Sequence, residues 1–479
     1  MLAGGLASCA VGPDFEPPPP PQLSSYGAGD PAIATPAPAP LATKWWLLFR
    51  SPQLDAVMAE ALASNPTLIQ AEANLRQSQH SLRAGYGVFF PGIGAEGGAA
   101  RQRITGTRFD EETPPLVFNL FTLEASVTYA LDVFGGNRRM VEGLGAEVDL
   151  ARANGQAVYL TLAADIANTV IAKAAYAAEV ECGERNVAAL EQEVALAEVQ
   201  AKAGTIPYAT LLSLRSQLAA ARAALPQLRQ KLRQSDDLLA SLAGHAPSEW
   251  QAPAVSFADL SLPDPLPVSL PSELVRQRPD IVAAEAVAHA ASAEIGVATA
   301  AMLPSVTLQG DAGATSTVPN KLFNSKGNIW DFGATATTPL FEGGSLWYRR
   351  KAAVDEYNAA MAAYRQTVLA AFTQVADTLA ALDHDSASLK ADEEAEAAAF
   401  ETLRLLKANY QAGLVNELDV LAADSQLQQA AIATLQAKAL RYQDSVALIA
   451  ALGGGWWRKD RFQSILTSAQ SEDPKENAP

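Results

Sequence analysis

Alternating apolar and polar side chains mark one part of the chain clearly. From Phe121 to Val133 the odd positions are apolar and the even positions are mostly polar. A period of two predicts a β-strand with one apolar and one wet face. Weaker alternation over 92–103, 306–315 and 330–337 predicts three more strands, so the chain offers two strand pairs with polar connecting loops.

Long helices are predicted after each strand pair. The stretches 137–202 and 344–411 contain no proline, and alanine and leucine are interleaved there with polar residues. This pattern favours thin helices packed as in a coiled coil, and at 1.5 Å per residue each would be a rod of about 100 Å. Each rod is expected to turn at a glycine, Gly204 or Gly413, and to return as a second helix.

The two predicted turns belong to a repeat that runs through the whole chain. Ala203-Gly204 matches Ala412-Gly413 in the middle of a longer similar segment, and Pro91 matches Pro304 further upstream. Proline and glycine mark turns and the ends of helices and strands. Agreement of their positions therefore predicts two similar structural halves rather than a chance similarity of alanine-rich sequence.

The repeat and the composition set the expected domain boundaries. Each half should hold equatorial helices, a strand pair (about 88–134 and 303–341) and a helical hairpin (about 137–244 and 344–453). The expected segments are a signal-peptide remnant (1–8), a lipid-anchored Pro/Ala-rich extended segment (9–52), the first repeat (53–244), a Pro-rich linker across the outside of the body (245–271), the second repeat (272–455) and a polar C-terminal tail (456–479).

Composition and charge exclude several classes of function. Hydrophobic residues make up 49 %, which allows a large core, but no run of about 18 apolar residues predicts a transmembrane helix. The formal net charge of −17 disfavours nucleic acid and an anionic lipid surface as partners. Histidines and cysteines show no metal-ligand spacing, and Walker, HExxH and GxSxG motifs are missing from the sequence. We therefore expect no metal, no cofactor and no catalysis.

The first residues resemble the lipobox of a bacterial lipoprotein. In Leu6-Ala7-Ser8-Cys9, small residues precede a cleavage site and a thiol that accepts acyl chains. Cys9 is thus the predicted lipid attachment site, whereas Cys182 is predicted to be a lone thiol on a helix. A basic and apolar leader is missing before Cys9, so a start upstream of Met1 stays open.

The number of strands predicts an oligomer. Four strands cannot close a barrel, since small closed barrels need about eight, and open sheet edges are not tolerated in lipid. Other copies of the chain must therefore pair with the two free edges. The helical rods are much longer than the hydrocarbon layer of about 30 Å and must project into water. The expected fold is mostly α, with a strand barrel shared between copies and a long-helix barrel.

Several motifs carry a family resemblance over residues 9–457. They are Cys9-Ala10-Val11-Gly12-Pro13-Asp14-Phe15, Trp45-Trp46 with Phe49 and Pro52, Leu270-Pro271-Ser272, Arg278-Pro279-Asp280-Ile281 with Ala284-Glu285, Ile295-Gly296, Pro304, Pro339-Leu340-Phe341 with Gly343-Gly344, and Leu452-Gly453-Gly454-Gly455-Trp456. With these motifs the chain resembles the TolC-like outer membrane efflux channels, the outer membrane factor family, and within it the lipoprotein subgroup of the OprM and NodT type.

The resemblance implies a homotrimer held in the outer membrane by its lipid anchor and its strands. Each chain would give four strands to a twelve-stranded barrel in contact with outer membrane lipids, and a twelve-helix barrel would project into the periplasm. The implied partners are a periplasmic adaptor protein and an inner-membrane pump of the RND type. The helical turns would form the tip that the adaptor grips, which makes Gly204, Thr205, Gly413 and Leu414 candidate docking residues.

The resemblance also implies a pore constriction at this tip, where the family places rings of carboxylates. Asp419 matches the first acidic position of the family motif, and Tyr410 also matches it. Glu417 and Asp424 are further acids nearby, and we place Asp419 within the second turn of the returning helix.

The match to the family gate is incomplete. The next acidic position falls on Ala422 and the gate arginine on Val415, which leaves the family's closed-state ion pairs in doubt. In the alternative interpretation, Asp419 and Asp424 are solvated residues on a polar helix face.

The expected function is a passive exit duct for drugs or other small toxic compounds, driven by a partner pump. Two other cargoes stay open, the proteins of a type I secretion system and metal ions, because the inner-membrane partner sets the cargo. A periplasmic coiled-coil protein without a pore would not explain the four alternating strands.

Overall fold

The computed structural model describes residues 10–19, 21, 25–26, 44–105, 114–261 and 275–454. Cys9, the polar tail and the last part of the Pro-rich linker lie outside the described residues. The helices are α1 (Pro52–Ser64), α2 (Pro66–Gly85), α3 (Gly136–Lys202), α4 (Tyr208–Leu242), α5 (Pro279–Ala300), α6 (Ser345–Gln411) and α7 (Glu417–Ala451). The strands are β1 (Gly92–Ile104), β2 (Leu116–Leu131), β3 (Ser305–Ser316) and β4 (Asn328–Thr337).

Local sequence explains where the first two helices begin. Ser51 and Asn65 precede Pro52 and Pro66, and each of the two polar side chains accepts a backbone N–H of the following turn, at 3.3 and 2.9 Å. Such caps satisfy amides that a helix leaves unpaired. Proline at the first helical position lacks only an N–H that would have no partner there.

The four strands form one antiparallel sheet in the order β1-β2-β3-β4. Leu131 at the end of β2 lies opposite Val306 at the start of β3, so this pairing joins the two repeats. Ser305 lies opposite Thr337, the last residue of β4, and the start of β1 lies beside the end of β2. All four connections to helices therefore leave from one end of the sheet, and β1 and β4 form its edges.

The predicted fold class is confirmed, because the described chain is mostly helical with four strands. The prediction for β2 was too short, however, since the strand begins at Leu116 rather than at Phe121. Leu116, Val117 and Phe118 are consecutive apolar residues, and a run of this kind has no two-residue period to recognise.

The chain divides into two compact units, and each takes segments from both repeats. The first unit holds the described residues up to Pro18 together with Leu75–Ala151 and Ala283–Arg365, and it contains the sheet. The second holds the described parts of Pro19–Asn74, Arg152–Val282 and Gln366 onward, and it contains the returning helices α4 and α7.

The described part of the Pro-rich linker packs into the second unit. The sequence interpretation placed this linker across the outside of the body, but Val255, Phe257 and Leu260 are buried. The Tyr442 hydroxyl donates to the Leu260 carbonyl at 3.1 Å, and Lys173 Nζ donates to the Pro253 carbonyl at 2.8 Å. Burial removes these apolar side chains from water, and this stabilises the linker in its packed position.

Two described helices, Gly136–Lys202 and Pro279–Ala300, are long and apolar enough by composition to cross a membrane. About half of the most apolar window is buried in each, 50 % and 44 %. Buried core helices rich in alanine have the same composition.

Candidate functional site

The first predicted turn is a helix cap built around Gly204. Its φ of +73° lies in the left-handed region that glycine adopts without strain. The Gly204 N–H donates to the Ala201 carbonyl at 3.1 Å, and the Thr205 N–H donates to the Gln200 carbonyl at 3.0 Å. These two bonds form a Schellman motif, which ends α3 and satisfies its last carbonyls.

The second predicted turn has the same geometry. Gly413 has a φ of +70°, its N–H donates to the Tyr410 carbonyl at 2.9 Å, and the Leu414 N–H donates to the Asn409 carbonyl at 2.9 Å. The prediction of glycine turns at 204 and 413 is therefore correct in both repeats. Leu414 is exposed after its turn.

The two returning helices begin differently. Pro207 precedes α4 and offers no side-chain cap. Asn416 caps α7, because its side chain accepts the Asp419 N–H at 3.0 Å while the Asp419 carboxylate accepts the Asn416 N–H at 3.2 Å. This reciprocal pair is a capping box. The acid at 419 thus stabilises the helix start besides any role in a pore.

Asp419 lies in the first turn of α7, as its third residue, and not in the second turn as we expected. The capping box moves the helix start closer to the acid than the position of the turn glycine suggested. Asp419, Glu417 and Tyr410 are all exposed, and the Tyr410 hydroxyl reaches Glu417 Oε2 at 3.4 Å. Three of the four predicted constriction residues therefore lie together in solvent beside the second turn.

The neighbouring Leu418 points the other way, into an apolar cluster between α3 and α4. Its buried members are Leu190, Val194, Ala197, Leu211 and Leu218. This packing fixes which face of α7 is buried near the tip and leaves Asp419 on another face.

Asp424, the fourth predicted constriction residue, has a different environment. It is half-buried, and its charge acts on Arg185 and Glu193 of α3. The adjacent Ser425 hydroxyl donates to Asn186 Oδ1 at 2.8 Å. Asp424 thus faces α3 of its own chain, whereas Asp419 does not.

A polar seam between α3 and α7 was not predicted from the sequence. We use this name for Glu179, Asn186 and Glu193, which follow one another at seven-residue spacing on α3. Gln436 of α7 donates to Glu179 at 3.3 Å, and Glu193 is 2 % exposed with no hydrogen-bond partner for its Oε1. Burial raises the pKa of both carboxyls, and the charge of Asp424 adds to the increase at Glu193. The seven-residue recurrence of polar side chains in an alanine-rich helix was the available signal.

A ladder of ion pairs crosses between α3 and α4 on the exposed side of the first hairpin. It joins Glu198 to Arg215, Glu191 to Arg222 and Glu184 to Arg229, at 2.6, 2.7 and 2.7 Å. The aligned positions of the second hairpin hold Lys407 with Asp424, Phe400 with Ala431 and Glu393 with Lys438, and no such ion pair forms there within the described residues.

A groove of about 520 Å³ lies instead at this level of the second hairpin. Its walls come from α3, α6 and α7, and they are dominated by carboxylates around one aromatic ring. The charged and aromatic members are Arg185, Glu393, Glu396, Phe400 and Glu401.

The residues after Cys9 are held firmly in the first unit. The Val11 N–H donates to the Phe134 carbonyl at 3.0 Å, and the buried Arg139 donates to the Val11 carbonyl at 3.2 Å and to Asp14 at 2.6 Å. Gly12 has a φ of +97°, and a side chain there would clash with the backbone of Gly296. A side chain at Gly296 would clash with Arg139 and with the Val11 carbonyl. Cys9 itself lies outside the described residues, but its successors are fixed beside the end of β2.

Within the described residues, no group of three His, Cys, Asp or Glu side chains is arranged to hold a metal ion.

Comparison with known proteins identifies the family of this chain. The profile of the family described as outer membrane efflux protein matches residues 57–245 and 270–454. The pyoverdine export outer membrane protein OpmQ of Pseudomonas putida is 31 % identical over 418 residues, covering 86 % of this chain and 88 % of the relative. The cation efflux system protein CusC of Escherichia coli is 26 % identical over 456 residues, covering 95 % and 97 %.

Solved structures agree over nearly the whole length. The outer-membrane channel OprN superposes with a TM-score of 0.84 at 26 % identity, covering 94 % of this chain and all of the other. The open state of the Neisseria gonorrhoeae MtrE channel superposes with a TM-score of 0.82 at 25 % identity, covering 93 % and 98 %. The family profile matches more than half of this chain, in two stretches that follow the internal repeat. The chain therefore belongs to the outer membrane efflux protein family and is an efflux channel of the outer membrane.

Proposed function

We propose that three copies of this chain form the exit duct of a tripartite efflux system, with no catalysis of their own. The observation that carries the proposal is the four-stranded sheet with free edges at β1 and β4. A sheet edge in lipid leaves backbone groups unpaired, each at a cost of several kcal/mol. Pairing β4 of one copy with β1 of the next removes every edge once the ring closes. The number three follows from the family resemblance, and twelve strands give a barrel wide enough for a lumen.

The same arrangement supports a helical barrel on one side of the membrane only, because all helical connections leave one end of the sheet. Its placement in the periplasm is what the family resemblance implies. Lipid at Cys9 would enter the membrane beside the barrel, since Val11 is bonded to Phe134 next to the end of β2.

The turns at Gly204 and Gly413 are the proposed docking points for a periplasmic adaptor, with Thr205 and Leu414 beside them. The acidic groove next to Phe400 complements a partner with basic side chains around an apolar one. The energy would come from an inner-membrane pump of the RND type, as the family resemblance implies.

Small toxic compounds are the proposed cargo. The relatives named for their cargo include channels for pyoverdine export and for toluene efflux in Pseudomonas putida. Exposed acids at Asp419 and Glu417, repeated around a symmetry axis, would select for cations at the tip.

Disulfide crosslinking between copies tests the assembly. A variant with one cysteine in β1 and one in β4 should give a covalent trimer on a denaturing gel, because the introduced thiols meet only across the subunit boundary. The two single-cysteine variants are matched controls and should stay monomeric. The wild-type protein should conduct ions in planar bilayers, and a conducting species that is strictly monomeric would refute the proposal.

Metal-ion efflux is the second candidate, favoured by the similarity to the cation efflux protein CusC. Deletion of the gene should then raise sensitivity to metal cations more than sensitivity to organic compounds. The reverse order of sensitivities would favour the organic cargo.

A further inference from the structure

We propose that the start of α6 binds the phosphate of an anionic phospholipid headgroup. The site is centred on the exposed Lys351 beside the rings of Trp347 and Tyr348, with the exposed Arg349 in the same helical turn, and we call these four residues the basic belt. The inference rests on the proposed function, because it requires the sheet to lie in a membrane.

The level of the basic belt relative to the membrane follows from β4. This strand has 10 residues, and at about 3.3 Å per residue and a tilt of about 40° it spans roughly 25 Å, the height of the apolar band of such barrels. Trp330 near its start is 81 % exposed. The basic belt follows the other end of β4, in the first two turns of α6, which rise about 10 Å. Aromatic residues thus flank the band on both sides, as at membrane interfaces.

Lys351 and the two aromatic rings form one cluster. Lys351 Nζ lies 5.4 Å from the ring centre of Trp347 and 6.0 Å from that of Tyr348. Both rings are largely exposed, at 49 % and 67 %. Arg349 and Lys351 are exposed, and within the described residues neither has a carboxylate at ion-pair distance. Lys351 therefore presents an uncompensated positive charge on an aromatic platform, and Arg349 adds a second one in the same helical turn, on another face of the helix.

The bases at the start of α3, in the first repeat, serve the fold. There Arg138 pairs with Asp132 at 3.1 Å, and Arg139 pairs with Asp14 at 2.6 Å and with Glu142 at 2.7 Å. In the second repeat only Arg350 is engaged, with its Nε donating to Thr299 at 3.2 Å. Helix stability does not explain the remaining two bases, since the dipole at a helix N-terminus disfavours cations.

The chemistry points to a lipid rather than to a soluble anion. Leu340 and Phe341, just before α6, are almost fully exposed and are suited to acyl chains. A chain of net charge −17 is repelled by an anionic surface as a whole, so a local basic cluster at membrane level is needed to hold such a lipid. Each base near an anionic surface strengthens binding about fivefold.

Native mass spectrometry of the full-length, detergent-purified protein tests the site. Wild-type protein is titrated with phosphatidylglycerol, phosphatidylcholine or inorganic phosphate, and compared with the double variant Arg349→Gln, Lys351→Gln. The matched control is Lys321→Gln, Lys326→Gln, which removes two exposed bases from the β3–β4 connection at the opposite end of the sheet. We expect the first double variant to lose about twentyfold in phosphatidylglycerol affinity, and the control and the phosphatidylcholine titration to stay unchanged. Inorganic phosphate should not displace the lipid.

Three results would overturn the lipid site. They are unchanged phosphatidylglycerol affinity in the Arg349/Lys351 variant, an equal loss in the control, or loss of the oligomer mass at unchanged lipid affinity, which would assign the residues to a subunit contact. Conductance of wild-type protein in planar bilayers separates this inference from the proposed function. A wild type that never conducts refutes the duct, whereas a conducting variant without lipid preference supports both.

Discussion

Asp419 has two separable roles, a structural one in the capping box and a proposed electrostatic one at the pore tip. Two substitutions distinguish them. Asp419→Asn removes the charge but keeps an oxygen that can accept the Asn416 N–H, now 3.2 Å from the carboxylate. Asp419→Ala removes both the charge and the acceptor. A purely electrostatic effect should be equal in the two variants, and a capping effect should appear only with alanine.

The structural cost of the alanine variant can be worked out from the cap. Loss of a side-chain cap costs about 1 kcal/mol, which is about a fivefold shift in the opening equilibrium of the first turn of α7. Hydrogen exchange of the amides in this turn should therefore be about fivefold faster in Asp419→Ala, and nearly unchanged in Asp419→Asn.

The electrostatic role is measured in planar bilayers. We expect both Asp419 variants to lose cation preference, and to lose block by multivalent cations, to the same extent. Asp424→Asn is the matched control, because Asp424 is half-buried and its charge acts on Arg185 and Glu193 of α3. Unchanged selectivity in Asp419→Asn, together with a lost selectivity in Asp424→Asn, would show that the wrong face of α7 had been assigned to the lumen.

Three further predictions follow from the turns, the helix pairing and the anchor. Gly413→Val should reduce export while the crosslinked trimer still forms, since a side chain at φ +70° costs roughly 1–2 kcal/mol; normal drug resistance in a well-expressed variant would contradict this. Burial, with the neighbouring Asp385, raises the pKa of Asp444 from 3.8 to about 6. The protonated form is thus favoured on folding, and its stabilisation is complete below pH 3.8 and is lost as the pH rises through 6. Asp444→Asn should flatten the thermal unfolding temperature over this window, and an unaltered pH profile would exclude the pairing. Cys9→Ala should abolish incorporation of labelled fatty acid without preventing insertion, whereas undiminished label would refute lipidation.

Helices and turns were predictable from the sequence because their determinants are local. Gly204 and Gly413 stand at the ends of uninterrupted helical patterns, and the Schellman bonds they make reach only five residues back. Strand alternation similarly located the four strands. The pairing of β2 with β3 was not predicted, because it joins positions such as Leu131 and Val306 that no local pattern connects.

The candidate site was predictable only in part, and for a similar reason. The capping-box sequence that starts at Asn416 is a local signal for the start of α7. The prediction was based on Gly413 instead, and it therefore placed Asp419 one helical turn too far along. The polar seam required knowledge of which helix faces α3, since Glu193 and Asp424 come from different repeats. Arg139 bonds to Asp14 across a separation of 125 residues along the chain. Sequence spacing alone cannot reveal such a contact.

Near the two glycine turns, α3 packs against α4 and against α7, and the free-energy cost of separating α3 differs between these two helices. Parting α3 from α4 would expose Leu190, Leu211 and Leu218, which are buried now, and leucine side chains of this kind lose about 1.5–3 kcal/mol each on full exposure. Parting α3 from α7 would return Glu193 to water, and its raised pKa shows that burial disfavours the charged carboxylate. Rehydration of this acid offsets part of the cost of opening the polar seam. Separating α3 from α7 would therefore cost less free energy than separating α3 from α4 within the first hairpin.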